Sequence, residues 1–220
     1  DAGSLNYQDL SFKLNFPTQN GGIFYLWGIG LLDRAGAKAK TDINKRVYND
    51  DNNDNEIKQY MGATGLSHKY FLGHNTYIKT TLAATVNGTD WTTQTLNQEL
   101  TLQPQSKIVN KNWNFVLSSF VNKKIRANHT NKTGILVTGM MYDMLLNRAK
   151  SLDSPPQEIV NANGFSTLIS AYSHSSVNLT NKLVMNIGVN SQVFTLNNQY
   201  TLEPRLGFRQ QIGKTQSIGF

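Results

Sequence analysis

Apolar and polar residues alternate with a period of two along most of this chain. Leu10, Phe12, Leu14 and Phe16 alternate with Ser11, Lys13 and Asn15. Ile78, Leu82, Ala84 and Val86 alternate with Lys79, Thr81, Ala83 and Thr85, and Trp113, Phe115 and Leu117 with Asn112, Asn114 and Val116. Leu183, Met185, Ile187, Val189 and Val193 alternate with Lys182, Asn186, Asn190 and Gln192. Leu202, Pro204, Leu206 and Phe208 alternate with Thr201, Glu203, Arg205 and Arg209. Successive side chains of a strand point to opposite faces, so this pattern predicts strands with one apolar and one polar face. It predicts ten of them, over 5–16, 22–33, 59–72, 75–88, 107–122, 129–147, 162–175, 182–196, 199–210 and from 215 onward. The faces mix in 60–72, 129–147 and 162–175, and no segment reads as an amphipathic helix.

The connectors add an asymmetry. Those after the odd-numbered strands are turn-like: Pro17–Gly21, Gly73–Asn75, Lys123–Asn128, Asn178–Asn181 and Gln211–Lys214. Those after the second, fourth and sixth strands are longer, at 34–58, 89–106 and 148–161, while the one around Asn197 and Asn198 is short again. The longest near-continuous apolar run, Ile23–Leu32, falls well short of the ~20 residues a membrane-crossing helix needs, but matches the ~9–11 of a tilted membrane strand. Short turns on one side and longer loops on the other is the layout of an outer-membrane barrel. The expected fold class is therefore all-β, an antiparallel transmembrane β-barrel segment of about ten strands. A soluble sandwich or lipid-carrying barrel, burying its apolar face inward, is a third reading of the same alternation.

Composition agrees with strands rather than helices. Of 220 residues only 39% are hydrophobic and 16% charged, the balance being made up by 26 Asn and 20 Thr among other polar residues. A helical bundle would be rich in Ala, Glu, Lys and Leu instead. The 10 Phe, 9 Tyr and 3 Trp are too many for a disordered chain. With no Cys there is neither a disulfide scaffold nor a thiolate metal site. The net charge is +7, yet the stretch 33–58 holds 12 of the 35 charged residues and balances to zero, so the excess falls on the rest of the chain. Basic residues there are scattered singly, with no run longer than Lys45–Arg46 or Lys123–Lys124, which speaks against a nucleic-acid surface. The aromatics Phe16, Phe24, Tyr25, Tyr70, Phe71 and Tyr77 gather beside the short turns, as an interfacial girdle would.

Several stretches are similar to one family. Tyr7–Thr18, Phe24–Gly30 and Asn131–Ile135 resemble barrel strands of TonB-dependent outer-membrane receptors. Phe194–Arg209 resembles the Leu-Glu-Pro-Arg-Leu-Gly strand of receptors that carry an N-terminal carboxypeptidase-regulatory-like domain and a plug. The resemblance implies a barrel of about 22 strands, a plug in its lumen and TonB-dependent uptake of a bulky nutrient. The sequence holds barrel strands and no plug, so it is expected to be the middle piece, 1–220, of such a receptor. The implied partners are the lipid bilayer, the plug domain and TonB complex through the missing N-terminal part, and an unknown nutrient, with a surface lipoprotein left open. The implied location is the bacterial outer membrane. The alternative is a self-contained small outer-membrane barrel, an adhesin, pore or surface enzyme.

No catalytic constellation emerges, and the chain is not expected to be an enzyme or to hold a cofactor. Gly207–Thr215 has one residue too many between its glycines for a phosphate-binding loop and reads as a hairpin turn. Asn49–Glu56 is rich in oxygen ligands but lacks the central Gly of a calcium loop, and reads as a solvated external loop. His68, His74, His129 and His174 lack zinc-ligand spacing. The residues expected to line a lumen and hydrogen-bond a plug are Ser11, Lys13, Asn15, Asn186, Asn190, Glu203, Arg205 and Arg209. A Lys or Arg on the lipid side would cost about 2–4 kcal/mol at the bilayer midplane.

Overall fold

The computed structural model describes residues 3–220, as one antiparallel sheet of ten strands joined in sequence order. The strands are β1 (Ser4–Pro17), β2 (Ile23–Ala37), β3 (Asn53–Gly73), β4 (Thr76–Leu96), β5 (Leu102–Arg126), β6 (His129–Arg148), β7 (Gln157–Asn178), β8 (Leu183–Phe194), β9 (Gln199–Gln211) and β10 (Ser217–Gly219). Every neighbouring pair is a hairpin, and β1 and β10 are the two edges rather than partners of each other. There is no α-helix among the described residues; two short 3-10 turns, Ile43–Lys45 and Asn49–Asn52, lie in the β2–β3 loop.

All ten expected strands are present, but five of them, β2, β3, β4, β5 and β7, run four or more residues further than periodicity suggested. The fourth and fifth extend to Leu96 and from Leu102, so the connector expected at 89–106 shrinks to 97–101. The expected 34–58 loop is 38–52, and 148–161 is 149–156. The physical reason is that backbone ladders do not require an apolar face. Stretches such as Thr92-Thr93-Gln94-Thr95 lack the hydrophobic alternation that marks a strand, yet continue the pairing, with Thr93 and Thr95 hydroxyls donating to Asn55 and Asn53 at 2.8 and 2.7 Å. The difference in connector length between the two ends is accordingly smaller than expected.

The sheet has no interior. Leu96 is the only buried apolar side chain among the described residues. The accessible surface is 15328 Å², against about 10,000 Å² for a compact soluble protein of this mass. Large apolar side chains stand open across one face: Leu10 is 68% exposed, Leu82 57%, Phe165 62% and Leu206 64%. A soluble sandwich would cover this face with a second sheet, and none does so among the described residues.

Residues opposed across an antiparallel ladder share a face. The register therefore assigns every side chain to a side. Leu14, Leu26, Leu66, Leu82, Leu117, Val137, Ile169 and Val193 form one continuous row on the apolar face. Glycines inside the strands have a specific partner. Phe12 lies opposite Gly28, Trp27 opposite Gly65, Tyr60 opposite Gly88, Tyr142 opposite Gly164 and His174 opposite Gly188. Each ring covers its glycine so closely that a Cβ would collide with it, at 2.7 Å for Trp27 over Gly65. Aromatic cover of this sort compensates the missing side chain.

The apolar stretch drifts along the register from one edge to the other. On β1 it covers Leu10–Phe16, and on β9 it covers Tyr200–Phe208. Phe16 is joined through successive pairs (Phe24, His68, Thr80, Ser119, Ile135, Ala171, Ser191) to Leu202. Leu206 and Phe208 thus lie beyond the row where the stretch on β1 has ended. The apolar band crosses the strands obliquely.

Candidate functional site on the polar face of the sheet

The opposite face carries the polar half of the alternation. Lys13, Asn15, Asn186, Asn190, Glu203, Arg205 and Arg209 all fall on it, as does Ser11. The structure brings four of them together on β8 and β9, with Arg209 further along β9. Asn190 is opposed to Glu203, and the Arg205 guanidinium donates to the Glu203 carboxylate at 2.8 Å. Asn186 and Arg205 share a cavity of about 490 Å³ with Lys132 and His174. Lys13 and Asn15 lie far from this group, on the edge strand β1.

A second group, around Lys13, is only partly visible in the sequence. Lys69 on β3 and Lys79 on β4 are directly opposed. Their ammonium groups rest on rings of the same face. Lys69 Nζ lies 4.2 Å from the centre of the Tyr77 ring and 4.8 Å from that of Phe71, and Lys79 Nζ lies 5.6 Å from that of Tyr25. Lys132 repeats the arrangement on β6, with Nζ 4.0 Å from the Phe120 ring. Ser67 and Thr81, one row further on, share a 2.8 Å hydrogen bond. Between Lys69 and the edge, Lys13 and Trp27 complete a concave, cationic and aromatic surface.

These rings correct the expected girdle. Phe16, Phe24 and Tyr70 are on the apolar face, where Phe24 stacks on His68 with ring centres 4.2 Å apart. Tyr25, Phe71 and Tyr77 are on the polar face and hold lysines instead. Clustering in sequence cannot separate the two faces when neighbours such as Phe24 and Tyr25 point opposite ways. The Lys69–Lys79 pair did carry a signal: the two positions are symmetric about His74, the centre of the predicted Gly73–Asn75 turn.

The acidic stretch 49–56 is organised by ion pairs. Asp51 meets Lys40 at 3.0 Å and Asp54 meets Lys38 at 3.0 Å, while Glu56 pairs with Arg34 and Lys58. The Asp51 carboxylate also accepts from the backbone N–H groups of Tyr48 and Val47, at 3.0 and 2.6 Å. These two bonds, with Lys40 beside them, hold its pKa at about 2. Gly207 lies within β9, and 212–216 is the β9–β10 turn.

No protein-family model and no curated protein matches the sequence. Among solved structures, the chain is similar to the outer membrane transporter YddB from Escherichia coli, at 9% identity and a TM-score of 0.44. That match covers 96% of this chain, which spans 36% of the other's length.

Proposed function

We propose that this chain is part of the wall of a bacterial outer-membrane barrel of the TonB-dependent kind, which imports a bulky nutrient. The observation that supports this reading is the uncovered apolar face and the oblique course of its band. A flat hydrocarbon slab cutting strands tilted by about 35–45° selects successively shifted residues on successive strands. The bilayer is then the partner of Leu10, Leu82, Phe165 and Leu206. The polar face, from Lys13 to Arg209, lines the lumen, part of which is filled by a plug supplied by the rest of the receptor. The loops 38–52, 97–101 and 149–156 face outward toward the nutrient. The chain works as scaffold and gate wall rather than as an enzyme. The two unpaired edges, β1 and β10, favour a ring closed by further strands over a self-contained ring of ten.

The test is the intact mass of the native polypeptide in the outer-membrane fraction of its source cells. A mass several times 24.6 kDa is expected. A mass near 24.6 kDa, or absence from that fraction, would overturn the reading.

A further inference from the structure

Lys13, Lys69 and Lys79, with the rings of Tyr25, Trp27 and Tyr77, line a cavity of about 670 Å³ on the polar face. Its lining contains three ammonium groups and no carboxylate. The volume lies within the range of small-molecule sites, about 300–1,000 Å³. Two of the lysines are in direct cross-strand opposition, where like charges repel. Six cations of the chain do pair with carboxylates: Arg34, Lys38, Lys40, Lys45, Lys58 and Arg205. Lys13, Lys69 and Lys79 take part in none of the ion pairs among the described residues. The rings beneath Lys69 and Lys79 offset part of this repulsion, since a ring face attracts a cation, but they carry no net charge. The same rings offer flat apolar surface for stacking.

We propose that this cavity binds a small aromatic polyanion: a flat ring carrying two or three carboxylates, its charges on the lysines and its ring against Tyr25, Trp27 or Tyr77. Charge complementarity selects the anion, because binding would neutralise a cluster that has no neutralising group of its own. The aromatic walls select a planar body over a branched aliphatic one. The inference rests on the polar-face geometry and not on transport, so the failure of either reading leaves the other standing.

The probe is benzene-1,3,5-tricarboxylate, titrated into the full-length protein purified in detergent, with binding read by calorimetry and by quenching of indole emission. Saturable binding is expected, weakening as salt is raised. Lys69→Gln and Lys79→Gln are each expected to weaken it about tenfold or more, as loss of a charge-assisted contact implies. Lys79→Arg should retain binding, and Lys107→Gln, on the other face, should leave it unchanged. Cyclohexane-1,3,5-tricarboxylate, of equal charge but without a flat ring, should bind more weakly. The proposal is overturned if the native protein shows no saturable binding. It is equally overturned if the glutamine variants, with a native strand circular-dichroism spectrum, bind as tightly, or if the cyclohexane compound matches the aromatic one.

Discussion

Lys69 and Lys79 stand directly opposite one another across the β3–β4 ladder, and their ammonium groups lean apart onto different rings, Tyr77 and Tyr25. Opposed like charges destabilise a sheet pair by about 0.2–1 kcal/mol, whereas each cation–π contact returns about 0.5–1 kcal/mol at an exposed site. Single substitutions mix the two effects. A double-mutant cycle with Lys69→Gln and Lys79→Gln isolates the pair. It should give a repulsive coupling of about 0.2–1 kcal/mol in urea unfolding, smaller in high salt. A favourable coupling would mean that the two lysines share a partner inside the protein.

Leu82 and Asn87 lie on the same strand but on opposite faces. Leu82→Arg should destabilise the protein in lipid vesicles by about 2–4 kcal/mol, because the arginine enters the apolar band. Asn87→Arg should change stability by under about 0.5 kcal/mol, being a polar-face exchange. If both variants are equally tolerated in vesicles, lipid does not cover the Leu82 face.

Trp27 lies flat over Gly65, and a Cβ added there would sit 2.7 Å from the indole. The clash is with the face of the indole, so Gly65→Ala should cost about 1–3 kcal/mol, the usual scale of overpacking. The displaced indole should shift its emission. Unchanged fluorescence with unchanged stability would show that the ring has room to move.

The β2–β3 loop should open in acid. The pKa of Asp51 is about 2 in the folded chain, below its ordinary 3.8, because Tyr48 and Val47 N–H groups and Lys40 favour the carboxylate. A group depressed by folding stabilises the native form above its unfolded pKa, and that contribution is lost as pH falls through the folded value. Between pH 4 and pH 2, the protection of the 38–52 amides, taken relative to the intrinsic exchange rate at each pH, should therefore fall. Asp51→Asn should show fast exchange at neutral pH and no such transition. An identical pH profile in the variant would remove Asp51 as the cause.

Much of the fold was legible because alternation is a local property. Leu202, Pro204, Leu206 and Phe208 can share a side of a strand only if the strand exists, whatever lies beside it. The ends of the strands were not legible for the same reason. Residues 89–96 and 102–106 have no apolar face to reveal them, and their pairing is held by backbone ladders and by contacts such as Thr93 with Asn55. Lys13 and Arg205 could be placed on a polar face from the sequence. Their neighbours could not, because neighbours depend on register.

The number of strands, their order as successive hairpins, and the division of side chains between two faces in the cleanly alternating strands were written in the local pattern. Those follow from a period of two and from turn chemistry, both encoded within a few residues. Beyond the turn-related Lys69–Lys79 pair, which residues of different strands meet follows from the assembled sheet alone: that no acid lines the cavity of the two lysines, that Tyr25 and Tyr77 face them, and that the apolar band runs obliquely. Register is a property of pairs of strands, and a slip of one residue would send every side chain to the other face.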